Sequence, residues 1–158
     1  MEDLRGLVIK SDIERVYREH GGRLWWAVLA FAHNPEVASD AVAEAFAQAL
    51  RRGPAIRDPA RWVWRAAFRI AAAELKRGRS DPYGDDQLIY EMSEPALDLV
   101  DALQRLSPKQ RAAVVLHHVG GYPAVEIASI LGSTTAAVKV HLSKGRKRLR
   151  AILEEDDE

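Results

Sequence analysis

Apolar residues recur at helical spacing along most of the chain, and runs that alternate polar with apolar are scarce. With alanine abundant, this pattern predicts an all-helical protein. Ile13, Val16 and Tyr17 mark a helix capped by Ser11 or Asp12 and running to about His20, where Gly21-Gly22 should interrupt or bend it. A short apolar helix follows over 24–32, and Asn34-Pro35 stops it. Val37, Ala41, Val42, Ala45, Phe46, Ala49 and Leu50 define a helix over 36–52 that ends at Gly53-Pro54. After a loop at 55–58, Pro59 starts a helix carrying Trp62, Val63, Ala66, Ala67, Ile70 and Leu75.

The stretch GRSDPYGDDQLIYEMSE at 78–94 is polar, acidic and rich in turn residues, and reads as a flexible linker between two small helical domains. Beyond it, Ala96, Leu99, Val100 and Leu103 share a face over 95–104. Ser107-Pro108 is a cap with proline at the first helical position, opening a helix to about Val119. A short helix over 124–131 is broken by Gly132, and Thr134 caps the long last one. The expected division is therefore a domain at 1–77, a linker at 78–94, a domain at 95–153 and an acidic tail at 154–158.

Bulk composition changes this picture little: 47% of the 158 residues are apolar, enough for a core. The absence of cysteine removes disulfides, thiolate metal sites and a Cys nucleophile. The N-terminus lacks a signal-peptide pattern, and no apolar run reaches membrane-spanning length, so a cytoplasmic protein without membrane contact is expected. Charge changes the picture more. The net charge of zero hides a segregated pattern. Residues 1–77 hold 13 basic and 10 acidic side chains, 78–107 hold 2 and 7, 108–153 hold 8 and 1, and the last five are all acidic.

The basic block lies on the last helix. Two helices joined by a short glycine-containing turn make a helix-turn-helix pattern. In the second helix Val138, Leu142, Gly145, Leu149 and Ile152 form an inward stripe, leaving Lys139, His141, Lys144, Arg148 and Arg150 elsewhere on its surface. Small residues at its start (Thr135, Ala136, Ala137) would let it approach base edges, and the basic flank would hold phosphates.

The segment LSPKQRAAVVLHHVGGYPAVEIASILGSTTAAVKVHLSKGRKRLR resembles region 4 of bacterial sigma factors of the compact extracytoplasmic-function class. The matching positions are Gln110, Arg111, Glu126, Ile127, Ala128, Leu131, Gly132, Val138, Lys139, Leu142, Arg146 and Leu149. It departs at Ala137, Val140, His141 and Gly145, the last at a helix-propensity cost of about 1 kcal/mol relative to alanine. The segment VASDAVAEAF is similar to the family's region 2 through Asp40, Val42, Glu44 and Phe46. DPARWVWRAAFRIAAAELKR is similar to its promoter-opening helix, with Trp62, Arg65 and the basic end Lys76-Arg77.

The resemblance implies an alternative sigma factor with three partners: core RNA polymerase (its clamp helices and flap), promoter DNA and an anti-sigma factor. Upstream DNA contacts would come from Arg111, Thr134, Thr135, Ala136, Lys139, Val140, His141, Ser143, Lys144, Lys147 and Arg148. Downstream contacts would come from Ala55, Ile56, Arg57, Arg61, Trp64, Arg65, Arg69, Lys76 and Arg77. Ala55, Ile56 and Arg57 would line a pocket for a flipped base. Trp64 and Arg65 would face the opened strand, where aromatic and arginine side chains stack on any base, while Trp25 and Trp62 pack in the core. Asp40, Ala43, Glu44 and Ala47 would dock polymerase. Nothing calls for a metal or cofactor. His117 and His118 are adjacent and diverge on a helix, and no nucleophile–base constellation is present, so an enzyme is not expected.

Two rival readings stay open: a stand-alone helix-turn-helix regulator, and a sigma-like decoy that sequesters an anti-sigma factor. With acidic blocks flanking the basic helix and a flexible linker between, the two domains are further expected to collapse together in the free chain and cover Arg65 and Lys144, and core polymerase to hold them apart and expose both.

Overall fold

The computed structural model describes residues 4–78 and 92–157. Among them, α1 (Leu4–Ala32), α2 (Pro35–Arg52) and α3 (Pro59–Lys76) form one helical unit, and α4 (Glu94–Leu103), α5 (Pro108–His118), α6 (Ala124–Leu131) and α7 (Thr135–Asp156) form a second. Most of the stretch read as a linker, residues 79–91, lies outside the described residues.

The expected break at Gly21-Gly22 does not occur, and α1 runs through both glycines for 29 residues. Each glycine costs about 1 kcal/mol of helix propensity. Ile13 and Val16 on one side, and Leu24, Ala27, Val28 and Phe31 on the other, are buried by neighbouring helices. At about 1.5–3 kcal/mol per large buried side chain, packing wins. The α1–α2 turn is set by polar chemistry. His33 adopts a left-handed φ of 59°, and Asn34 Oδ1 accepts from the backbone N–H of Glu36 (2.9 Å) and Val37 (3.1 Å), ahead of Pro35. A 3-10 turn at Gly53–Ala55 leads to Asp58, which caps α3 by accepting from the Arg61 N–H at 3.2 Å.

In the second unit Ser93 caps α4, and Ser107 with Gln110 forms a reciprocal capping box on α5. Gln110, one of the matched motif positions, is thus spent on starting a helix. Gly132 ends α6 in the left-handed region (φ 65°, ψ 38°), where glycine carries no steric penalty. Thr134 Oγ1 accepts from the Ala137 N–H at 3.1 Å and starts α7. Glu154 to Asp156 do not leave the helix. Glu155 and Asp156 continue α7 and approach Arg105 at 3.5 and 4.0 Å.

The two units pack directly on each other. α1 lies against α4 and α5, α3 lies against α6, and buried residues of both units form one continuous core.

Candidate nucleic-acid and polymerase interfaces

The outer face of the helix-turn-helix is built by α7. Its inward stripe is as expected: Val138, Leu142, Gly145 and Ile152 are buried, with Leu149 packed on the core. This aims Thr134, Ala136, Lys139, Val140, Ser143, Lys144, Lys147 and Arg148 at solvent, while Thr135 and His141 are half-buried. Arg148 is partly committed, since its Nε donates to the Arg105 carbonyl at 3.0 Å. Arg146 does not join this face. Its Nε donates to His118 Nε2 at 3.1 Å, which requires that nitrogen to be unprotonated. Burial, and then the Arg146 and His117 charges, hold the His118 pKa below its ordinary value, consistent with this bond.

Gly145 is explained by the crossing of α7 on α5. A Cβ there would lie 2.8 Å from Val114 Cγ2 and 3.3 Å from Gln110 Cβ. Arg111 is placed differently from expectation. It is 7% exposed, with its guanidinium 5.3 Å from the centre of the Phe31 ring in the first unit. Burial lowers its pKa.

On α3, Arg65, Arg69, Lys76 and Arg77 are exposed, Arg77 being paired with Glu74 at 2.8 Å. Trp64 is not on that face. It is fully buried, stacked on Phe68 and edge-on to Tyr122 of the second unit at 5.4 Å between ring centres. The accessible aromatic is Trp62. It is half-buried in a cleft of about 500 Å³ with Gln48, Arg52, Arg65 and Arg69, and the Arg52 guanidinium lies 5.9 Å from its ring centre. Spacing along α3 alone favours neither tryptophan. The neighbour that decides, Arg52, comes from α2. In the loop, Ala55 and Arg57 are exposed and Ile56 is buried, so Ile56 is not free to line a pocket wall. Arg61 is turned toward the second unit, where Nη1 donates to Glu126 Oε2.

The part of the expected masking that rests on the linker falls on residues 79–91, outside the described residues; packing of the two units does not cover Arg65 or Lys144. Both stand exposed although the units are packed together, and the packing covers Trp64 and Arg111 instead. Both Trp64 Nε1 and Arg111 Nε are buried without a hydrogen-bond partner. An unsatisfied buried donor costs about 1–3 kcal/mol.

The face of α2 expected to dock polymerase presents Asp40, Ala43 and Glu44 to solvent, with Ala47 half-buried. Hydrogen bonds from Gln48 (3.1 Å) and Arg51 (2.9 Å) orient the Glu44 carboxylate and lower its pKa. Beside it a cleft of about 390 Å³ is lined by Tyr17, Gly21, Gly22, Trp25, Ser39, Val42 and Ala43. The paired glycines lie on the wall of this cleft and leave it without side chains there. Among the described residues no group of three or more His, Cys, Asp or Glu is placed to hold a metal. Nor is any of their helices long and apolar enough to cross a membrane.

The family model described as sigma-70, region 4 matches residues 96–149, spanning α4 to α7. The ECF RNA polymerase sigma factor SigM of Mycobacterium tuberculosis is 28% identical over 149 residues, covering 89% of this chain and 76% of that protein. Among solved structures, CnrH in complex with the cytosolic domain of CnrY superimposes with a TM-score of 0.74 at 22% identity, over 93% of this chain and 90% of that one. The sigma factor RpoE in complex with the anti-sigma factor NepR from Bartonella quintana gives a TM-score of 0.73 at 21% identity, over 92% and 96%. The region 4 match lies on the helix-turn-helix, and relatives that run through both helical units are extracytoplasmic-function sigma factors, so the chain is similar to that class along nearly its whole length.

Proposed function

We propose that this protein is an alternative sigma factor that docks on core RNA polymerase, directs it to particular promoters and starts transcription. The observation that carries this reading is the exposed face of α7. It offers small residues at the helix start, a flank of Lys139, Lys144, Lys147 and Arg148, and no acid before Glu154. Such a helix fits the major groove of an upstream promoter element, with its cations at phosphates. The first unit supplies the second half of the task. Arg65 and Arg69 flank Trp62 in a cleft suited to an unpaired strand, since a ring and guanidinium planes stack on any base.

In this reading Asp40, Ala43, Glu44 and Ala47 face the polymerase clamp, the second unit reaches the flap, and residues 78–94 link the two. CnrH and RpoE were captured with CnrY and with an anti-sigma factor. An anti-sigma factor is accordingly the regulatory partner proposed here, with action in the cytoplasm and no catalysis by the chain itself.

Run-off transcription with purified core polymerase on a genomic fragment library tests the function. Specific start sites that depend on the added chain are the expected result. A chain that binds core polymerase without initiating would be the decoy, and one that binds DNA but not polymerase would be the stand-alone regulator. The double reversal Asp40→Lys with Glu44→Lys should weaken core binding with helicity intact, measured by competition against the unmodified chain. Unchanged affinity would remove these two carboxylates from the interface.

A further inference from the structure

We propose that Val140 is a specificity-determining residue that reads the C5-methyl group of a thymine, so that the upstream element selected by this chain carries a thymine under the second turn of α7. The inference rests on the sigma-factor reading and deepens it, naming what the recognition helix selects.

Val140 does little for the fold. Among the described residues of the second unit, the exposed large apolar side chains are Leu99, Val125 and Val140, and Val140 is the one on α7, 49% exposed. A β-branched residue on the outside of a helix loses side-chain freedom and gains no packing, so propensity favours alanine or lysine there. It is also among the positions at which the chain departs from the region 4 pattern. Its place on the helix is specific. Ala136, Val140, Ser143 and Lys147 recur at steps of four, three and four residues, so they run in one line along the exposed face. That line lies opposite the buried Val138, Leu142 and Gly145, with Lys139 to one side of it and Lys144 to the other.

This arrangement sorts the contacts that a major groove can receive. The outermost line of a recognition helix enters the groove deepest, and its N-terminal turns meet base edges. α7 begins at Thr135, so Val140 falls in its second turn. Lys139 and Lys144, on either side, reach toward the two phosphate backbones. Val140 presents two methyl groups to the bases, with neither donor nor acceptor. Held against guanine O6 and N7, adenine N6 and N7 or cytosine N4, it would strip polar atoms of water and return no hydrogen bond. Thymine alone places an apolar group, its C5 methyl, in the major groove, and there the contact is favourable. Ala136 stands one turn earlier, about 6 Å along the helix, close to two base steps of about 3.4 Å. It offers a second, smaller apolar contact. The Ser143 hydroxyl both donates and accepts, and so discriminates little.

The test uses the full chain with core polymerase on duplexes selected from a library randomised in the upstream element, against core polymerase alone. Selected duplexes should hold a fixed thymine. Replacing it by deoxyuridine, which lacks only the methyl group, should weaken binding about fourfold, the effect of one buried methyl-sized group. Val140→Ala should bind the thymine and deoxyuridine duplexes alike. It should also melt no lower than the parent, since the side chain it shortens is exposed. With the parent chain, 5-methylcytosine at the same place should bind more tightly than cytosine, and Val140→Ala should lose that difference. Selected duplexes in which no thymine is sensitive to deoxyuridine, or a sensitivity that persists undiminished in Val140→Ala, would overturn the assignment and leave the sigma-factor reading standing. A chain and polymerase that enrich no duplex would sink that reading, and the methyl contact with it.

Discussion

Gly145 sits where α7 crosses α5, with Val114 Cγ2 only 2.8 Å from the point a methyl group would occupy. On propensity alone Gly145→Ala should stabilise the helix by about 1 kcal/mol. The facing valine is β-branched and stiff, so overpacking of about 1–3 kcal/mol opposes that gain. A net loss of about 1 kcal/mol is expected in urea unfolding. Combined with Val114→Ala, it should cost clearly less than the sum of the two single changes. Additive costs would show that the methyl group finds room. A second residue-scale expectation concerns His118, whose neutral form the fold favours. As pH falls below about 6.5 the unfolded chain takes up this proton before the folded one does. Stability from this group is therefore full above that pH and declines below it. Melting temperature should fall between pH 7.5 and 5.5, and His118→Gln should flatten the fall. An unchanged slope in the variant would assign it to other groups.

At the scale of elements, most helix boundaries were legible because capping chemistry is local. Asn34-Pro35, Ser107-Pro108, Gly132 and Thr134 each carry their signal within a few residues, and α6 lies at the expected Ala124–Leu131. Boundaries failed where distant partners outweigh local propensity. α1 passes through Gly21-Gly22 because both of its halves are buried by other helices. α7 keeps its acidic last turn, unfavourable at the negative end of a helix dipole, where Arg105 meets Glu155 and Asp156. Gly22 offers a direct check. Nothing lies within 4 Å of a Cβ built there. Gly22→Ala should therefore raise stability by about 1 kcal/mol. If the neighbouring cleft receives a polymerase side chain, the same variant should lose affinity for core enzyme. A variant that gains stability and keeps full affinity would exclude the cleft from docking.

On the scale of the whole molecule, the packing of the two units leaves the outer face of α7 exposed. Lys144 is exposed although the units are packed together. The free protein should accordingly bind upstream duplex, though weakly. Lys144→Ala should lower the slope of log affinity against log salt by about 0.9, the signature of one lost phosphate contact. The same loss should appear on every duplex tested. A change of base preference at one position, with the slope intact, would make Lys144 a reader of sequence instead.

The sequence by itself determined the all-helical class, the helix-turn-helix with its inward stripe and basic face, and the likeness to the sigma factors, because periodicity, caps and charge segregation are written in residues close together along the chain. Only the tertiary structure decided which tryptophan is reachable, where Arg111 points and why residue 145 is glycine. Trp62 and Trp64 differ by two positions on one helix, and their exposure is set by Arg52 of α2 and Tyr122 beyond α5. Arg111 is likewise claimed by Phe31, and Gly145 by Val114. Burial is a property of what a surface meets, and a side chain meets partners that its own stretch of sequence does not contain.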